Sequence, residues 1–100
     1  MTITDRVFEH RGTTFTWDES KAADNLINHD ISFEEAVTVF DDPLFVLRDA
    51  SRNNESRDTA IGFSAEGHLL TVVHIENHGE FIRIISAWRA TAAEEAFYAQ

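Results

Sequence analysis

The chain has 100 residues, 18 acidic against 8 basic side chains and a formal net charge of -10. That length accommodates one domain, and 43% hydrophobic residues supply enough apolar material for it to fold alone. The absence of cysteine rules out a disulfide frame or thiolate site, and the excess of acid argues against bulk affinity for nucleic acid.

Taken in chain order, residues 1–14 read as an N-terminal extension and 15–100 as a single domain. The start, MTITDRVFEHRG, lacks a basic-then-apolar signal, and no apolar run approaches the roughly 18–20 residues of a membrane span. A cytoplasmic protein with no membrane partner is therefore expected. Val7 and Phe8 begin a strand, Arg11-Gly12 marks a turn, and Phe15-Thr16-Trp17 alternates as a short strand. Asp18 is placed to cap a helix whose Ala22, Ala23, Leu26 and Ile27 share one face, and Asn28-His29-Asp30 ends it. Ser32 to Glu35 has capping-box spacing. It opens a helix with Phe33, Ala36, Val37 and Phe40 on one stripe, which stops before Pro43.

Beyond Pro43 the apolar period changes to two. Strands are expected at 44–48, 57–63, 69–76 and 81–88, with a polar loop over 49–55. A closing helix starts at a second capping box, Thr91 to Glu94. The pattern predicts an α+β domain: two N-terminal helices, an antiparallel sheet of three to four strands, and a C-terminal helix.

Two-residue turns at Glu66-Gly67 and His78-Gly79 fix an expected register. His74 then lies opposite Thr59 and Arg83, and Glu76 opposite Arg57 and Phe81, so Arg57, Thr59, His74, Glu76 and Arg83 share one end of a sheet face. Ile61, Phe63, Leu70, Val72 and Ile85 continue that face, while Val73, Ile75, Ile82 and Ile84 pack on the helices. The bland reading of the cluster is a solvated face with an Arg57–Glu76 pair. The sharper one is metal-free phosphodiester chemistry, in which arginine stabilises charge on phosphate and histidine moves protons. No His-x3-His spacing on a helix favours a metal site.

The spaced residues Phe15-x-Trp17-Asp18-Glu19-x-Lys21-Ala22, Asn25, His29, Ser32-Phe33-Glu34-Glu35-Ala36 and Val39-Phe40-x-Asp42-Pro43 resemble the opening of BrnT-type toxins, the DUF497 family. Arg57, Gly62, Leu69-Leu70-x-Val72-Val73-His74 and Ile82-Arg83-Ile84-Ile85-Ser86-Ala87 continue the likeness. The resemblance implies a RelE-like fold and the toxin of a type II toxin–antitoxin system. Such a toxin cleaves RNA without metal or cofactor, through attack of the 2′-hydroxyl on the adjacent phosphate, and so inhibits translation. A BrnA-type ribbon-helix-helix antitoxin would neutralise it, and the pair would repress their own operon, operator DNA being reached only through the antitoxin.

Arg83, His74, Arg57 and Arg89 are the candidate catalytic residues, and Lys21 (the only lysine), His29 and Tyr98 the candidate RNA contacts. Blander roles stand beside these: first-turn lysine for Lys21, a helix C-terminal contact for His29, packing for Tyr98. Trp17 and Phe40 are expected in the core. Relatives usually carry arginine directly after Ser86-Ala87, where this chain has Trp88 with Arg89 one place on, and the following segment, Thr91 to Glu95, lacks their positive charge. A second reading follows from those departures, a catalytically weak toxin-derived protein that holds an antitoxin and tunes repression. In the first reading the RNA is held elsewhere, for example on the ribosome, because an acidic chain binds free RNA weakly.

Overall fold

The computed structural model describes residues 5–51, 56–77 and 79–100. Six strands form one sheet in the order β1-β2-β6-β5-β4-β3. They are β1 (Asp5–His10), β2 (Thr13–Asp18), β3 (Val46–Asp49), β4 (Asp58–Phe63), β5 (Leu69–Asn77) and β6 (Phe81–Arg89). Helices α1 (Glu19–His29) and α2 (Phe33–Val37) lie between β2 and β3, α2 running into a 3-10 turn at Thr38–Asp41, and α3 (Ala92–Tyr98) closes the chain. The α+β class is as expected, but the sheet has six strands instead of three to four. Every neighbouring pair is antiparallel except β2 and β6, which run parallel.

The two additional strands come from the N-terminus. Residues 5–14, expected to precede the domain, enter the sheet: β1 pairs with β2 along its whole length through a tight turn. Arg11 (φ 50°) and Gly12 (φ 81°) both adopt the left-handed conformation that this kind of hairpin turn requires. Asp18 then caps α1, its side chain accepting hydrogen bonds from the Ser20 and Lys21 amides.

Pairing between β2 and β6 covers only Phe15↔Ile82 and Thr16↔Arg83, because the chain leaves the sheet to form α1. One side chain continues the edge. Asn25 Nδ2 donates to Ala87 O (2.9 Å) and to Ile31 O (2.9 Å), while Oδ1 accepts from the Ala87 amide (3.1 Å) and Ser86 Oγ (3.1 Å). The two donors and two acceptor positions of a carboxamide are all used. The helix is thereby rotated so that Asn25 is its buried residue, and Leu26 and Ile27 are 50% and 80% exposed. The apolar stripe expected to face the core does not do so; of its members Ala22 packs against the core.

α2 follows its pattern: Phe33, Ala36 and Val37 are fully buried, joined by Phe15, Trp17, Ile31, Val39, Leu70, Val72, Ile84 and Ala87 in the core on the inner face of the sheet. Trp17 meets Phe33 edge-on at 5.8 Å, and Phe40 lies against Phe15 at 5.5 Å. Gly62 lets this layer close, since a Cβ there would stand 2.8 Å from Phe45 Cβ. On the outer face, α3 packs on β4 and is tied to Thr71 of β5. The Thr91–Glu94 capping box is complete, and Glu94 Oε1 also accepts from Thr71 Oγ1 (2.9 Å) and Trp88 Nε1 (3.1 Å).

The register differs from the expected one by a single residue at both turns. Phe63 pairs with Leu69 across a five-residue loop, and Asn77 pairs with Phe81 across a three-residue one. The expected turn residue His78 lies outside the described residues, as do 52–55 of the polar loop. His74 consequently stands opposite Asp58 and Ile84, Glu76 opposite Ile82, and Arg83 opposite Ile75. A slip of one exchanges the faces of a strand. His74, Val72 and Leu70 turn into the core, Val73 and Ile75 take the outer face with Arg83, and the predicted cluster of Arg57, Thr59, His74, Glu76 and Arg83 does not form. A bulge between β5 and β6 places Val73 opposite Ser86 and His74 opposite Ile84, leaving Ile85 as the extra residue.

His74 is 3% exposed, its ring edge-on to Phe40 at 5.0 Å and its Nδ1 facing Val72 O at 3.4 Å. Burial pushes its pKa below the ordinary 6.5, against opposing contributions from that carbonyl and from Asp58 and Glu76. A lowered folded pKa means the unfolded chain takes up a proton the native one resists, so this stabilisation is full above about pH 6.5 and declines as pH falls below it. Urea midpoints measured at pH 7.5 and 5.5 should drop in the native chain and drop less in His74→Leu; an equal drop would remove His74 as the cause. Asn25→Ala strands the Ala87 amide and two carbonyls, and should cost about 3 kcal/mol in urea unfolding. Asn28→Ala, one turn on at an exposed position, should stay within about 0.5 kcal/mol.

Candidate functional site: a groove between helix α1 and strand β6

The Asn25 anchor holds α1 beside the outer side of β6 and leaves a groove of about 260 Å³ between them. Lys21, Asp24, Asn25, Asn28 and His29 line it from the helix, and Ile85 and Ser86 from the strand. Lys21, Asn25, Asn28 and His29 are neighbours at intervals of three and four, one continuous stripe of the helix. Ile85 and Ser86, consecutive in sequence, both reach the groove because the bulge interrupts strand alternation at that point. Ser86 Oγ is oriented by its hydrogen bond to Asn25 Oδ1.

His29, in the last turn of α1, lies 6.1 Å from the Trp88 ring, centroid to centroid. Trp88 is held in turn by Glu94 through its indole N–H. Burial works against the charged form of Glu94, yet hydrogen bonds from Thr91, Thr71 and Trp88 outweigh it and keep this carboxyl below the usual glutamate value. The groove thus brings together a primary amine, an imidazole, a hydroxyl and carboxamides, with an aromatic ring at one end. Those are groups that hold a phosphate, move a proton and stack a base.

Arg83 is on the same outer face of β6, one strand repeat (about 7 Å) before Ile85. Its guanidinium meets the Asp5 carboxylate at 3.1 Å, with Thr16 Oγ1 at 3.4 Å. Both partners are partly exposed, at 30% and 53%, so this is a weak, solvent-screened pair. Tyr98 is on the outer face as well, but at the far end of α3. Its hydroxyl donates to Asp42 Oδ2 (2.7 Å) and its ring meets Phe63 edge-on at 5.5 Å. The bond to Asp42 raises the phenol's pKa. For Asp42, burial is outweighed by hydrogen bonds from the Phe63 amide, the Tyr98 hydroxyl and the Leu44 amide, and its pKa falls.

Of the residues singled out from sequence, Lys21 and His29 therefore share one groove and Arg83 flanks it. His74 lies in the core. Arg57 stands just before β4, where its carbonyl accepts from the Ala50 amide (2.9 Å) and its amide donates to Ser51 Oγ (3.3 Å). Arg89 turns to the inner face, as alternation from Trp88 requires.

On that inner side a second polar group appears that the sequence reading missed. Ser32 caps α2 as expected, but the Glu35 side chain does not complete the box. It accepts instead from Ser64 Oγ (2.7 Å) and pairs with His68 Nδ1 (2.8 Å), and Arg89 Nη2 contacts His68 Nε2 (3.2 Å). Among the described residues, Glu35, Glu66 and His68 bring three metal-ligating atoms within 4.8 Å of one another. Glu66 and His68 share one loop, but Glu35 joins them only through contacts distant in sequence, so no local spacing advertises the group. Asn25 and Ser86, by contrast, were already among the residues carrying the family likeness, although their mutual hydrogen bond was not foreseen.

A family model described as ribonuclease toxin, BrnT, of type II toxin–antitoxin system matches residues 17–94. Among solved structures, the chain is similar to the Brucella abortus ribonuclease toxin BrnT, with a TM-score of 0.59 and 21% sequence identity. That likeness covers 75% of this chain and 92% of the Brucella one. No curated protein sequence matches the chain. No helix among the described residues is long and apolar enough to cross a membrane. With its residues 17–94 spanned by the family model and its fold shared with a solved member, the chain belongs to the BrnT family of ribonuclease toxins of type II toxin–antitoxin systems.

Proposed function

We propose that the groove between α1 and β6 is where this toxin cleaves RNA, without a metal ion, by attack of a ribose 2′-hydroxyl on the adjacent phosphate. The observation that carries the reading is the convergence of Lys21 and His29 on Ser86 in one cleft. In this scheme His29 takes the proton of the attacking hydroxyl or returns one to the leaving oxygen. Lys21 neutralises charge on the phosphate, Ser86 orients it, and Trp88 stacks a flanking base. Arg83 adds positive charge along the strand once phosphate displaces Asp5. Two helices ahead of the four-stranded run β3 to β6 and one after it, with the β1–β2 hairpin preceding them, support the RelE-like kinship that the sequence resemblance implies.

The same reading includes cytoplasmic action on translation, with RNA presented on a larger particle, since a chain of net charge -10 gathers free RNA poorly. It also includes a BrnA-type antitoxin that binds the chain and, through its ribbon-helix-helix domain, represses the operon. Membership in a toxin–antitoxin family and an acidic surface complementary to a basic partner support that part. A second reading, an antitoxin-holding protein with little catalysis, is favoured by the Trp88–Glu94 bond, which puts a carboxylate at one end of the groove.

Incubating the purified chain with RNA in excess EDTA separates these readings. Cleavage should persist in chelator, and His29→Gln and Lys21→Ala should each lower its rate about 100-fold. RNA left intact at high protein concentration, with tight antitoxin binding retained, would establish the second reading in place of the first.

A further inference from the structure

The polar group on the inner side of the sheet lies apart from the groove and has no part in the proposed cleavage. Its centre is Glu35, 7% exposed in the first turn of α2. A carboxylate so desolvated needs compensation, and two side chains from a single loop supply it. Ser64 Oγ donates to Glu35 Oε2, and His68 Nδ1 meets the same oxygen.

The loop between β4 and β5 is built around Ser64. Its amide donates to His68 O (2.8 Å), its carbonyl accepts from the Gly67 amide (2.9 Å), and its hydroxyl oxygen accepts from the Glu66 (3.3 Å) and His68 (3.2 Å) amides. Gly67, at φ +83°, permits the reversal. The tightness of this loop holds Glu66 and His68 on the side of Glu35, their ligating atoms mutually within 4.8 Å. Glu66 is exposed and the His68 side chain is 32% exposed, so the approach from solvent is open.

We propose that Glu35, Glu66 and His68 form a binding site for a divalent transition metal, with Zn2+ the best-fitting cation. Two carboxylates offer two negative charges to a dication in a chain already strongly acidic. An imidazole in the set selects Zn2+ and its neighbours over the oxygen-seeking Mg2+ and Ca2+. Three protein ligands leave the fourth tetrahedral position to water. Ligands bound at about 2.1 Å stand ~3.4 Å apart in a tetrahedron, so a change of rotamer brings exposed Glu66 inward, while the Glu35–His68 pair, 2.8 Å apart in its hydrogen bond, opens as the metal replaces the shared proton. Ser64 remains on Glu35 as the outer-shell hydrogen bond that orients the carboxylate.

The site includes its own responsive element. An arginine can only donate, so the Arg89 contact requires His68 Nε2 to accept and places the ring proton on Nδ1, facing Glu35. When the metal takes Nδ1, that proton moves through water to Nε2, with no net gain or loss. Nε2 then becomes a donor, the contact with Arg89 turns repulsive, and the arginine swings into solvent. Metal occupancy is thereby coupled to the release of Arg89 next to the end of β6.

The inference does not rest on the ribonuclease reading, because binding is measured directly. Isothermal titration of the full chain with ZnCl2 should give one site per chain with a micromolar or tighter Kd, and MgCl2 should give none. His68→Gln and Glu66→Gln should each weaken Zn2+ binding at least tenfold, while His10→Gln leaves it unchanged. Zinc should also shift the His68 ring nitrogens and the Arg89 Nε resonance in 15N spectra. Glu66 is exposed, so its variant decides the matter should His68→Gln fail to fold. An absence of Zn2+ binding at 100 μM, or binding that survives Glu66→Gln, would overturn the proposal. So would inorganic phosphate binding at His68 and Arg89 in place of zinc.

Discussion

The carboxamide of Asn25 does the work of a missing stretch of β-strand. β2 accompanies β6 for two residue pairs and then departs, which would leave the β6 backbone at Ala87 unpaired in the interior. A buried amide and carbonyl without partners would each cost about 1–3 kcal/mol. Asn25 satisfies both at once, as a neighbouring strand would, and ties in Ile31 and Ser86 with its remaining capacity. Much else follows from this one side chain. It sets the rotation of α1, sends Leu26 and Ile27 outward, and turns the stripe containing Lys21 and His29 toward the strand. The groove is the space left between a helix anchored at a single residue and the strand it substitutes for.

That constraint explains what the sequence made legible and what it hid. Asp18, Ser32 and Thr91 act within a turn of their own positions, and their capping roles could be read directly. The apolar stripe of α2 was legible for the same reason. In α1 the hydrophobic pattern pointed the wrong way, because a polar residue with four well-matched partners outweighed Leu26 and Ile27. Strand positions were readable to within two residues, but the register was not, since turn residues such as Glu66-Gly67 do not reveal how many residues their loop contains. A loop built on Ser64 is longer than the turn it includes. One residue of slip moved His74 from an expected surface site into the core and separated it from Arg83.

The acidity also acquires a structural meaning. Glu94 receives Thr71, Trp88 and the Thr91 amide on a single oxygen, and Asp42 receives Tyr98 together with the Phe63 and Leu44 amides. Glu35 joins α2 to the loop between β4 and β5. In a sheet that keeps few long helices against it, carboxylates serve as multi-acceptor junctions between elements. The net charge is therefore only partly a solvated surface. Some of it fastens α3 to strand side chains and the 42–45 segment to strand backbone, where an amide would accept fewer bonds and a hydrophobe none.

The end of β6 brings these themes to one place. Ser86 and Trp88 face the groove, Ala87 is pinned by Asn25, and Arg89 reaches His68 on the inner side, so four consecutive residues serve two faces and one edge. Strand alternation, restored after the bulge, makes Trp88 and Arg89 unable to exchange roles. An arginine one place later is on the other side of the sheet and meets a different partner. A base at position 89 therefore cannot serve the face that position 88 presents. Positive charge in the groove comes from Lys21, with Arg83, paired to Asp5, farther along the strand. The two bases come from different elements, Lys21 from α1 and Arg83 from β6, and Asn25 is what sets the spacing between those elements.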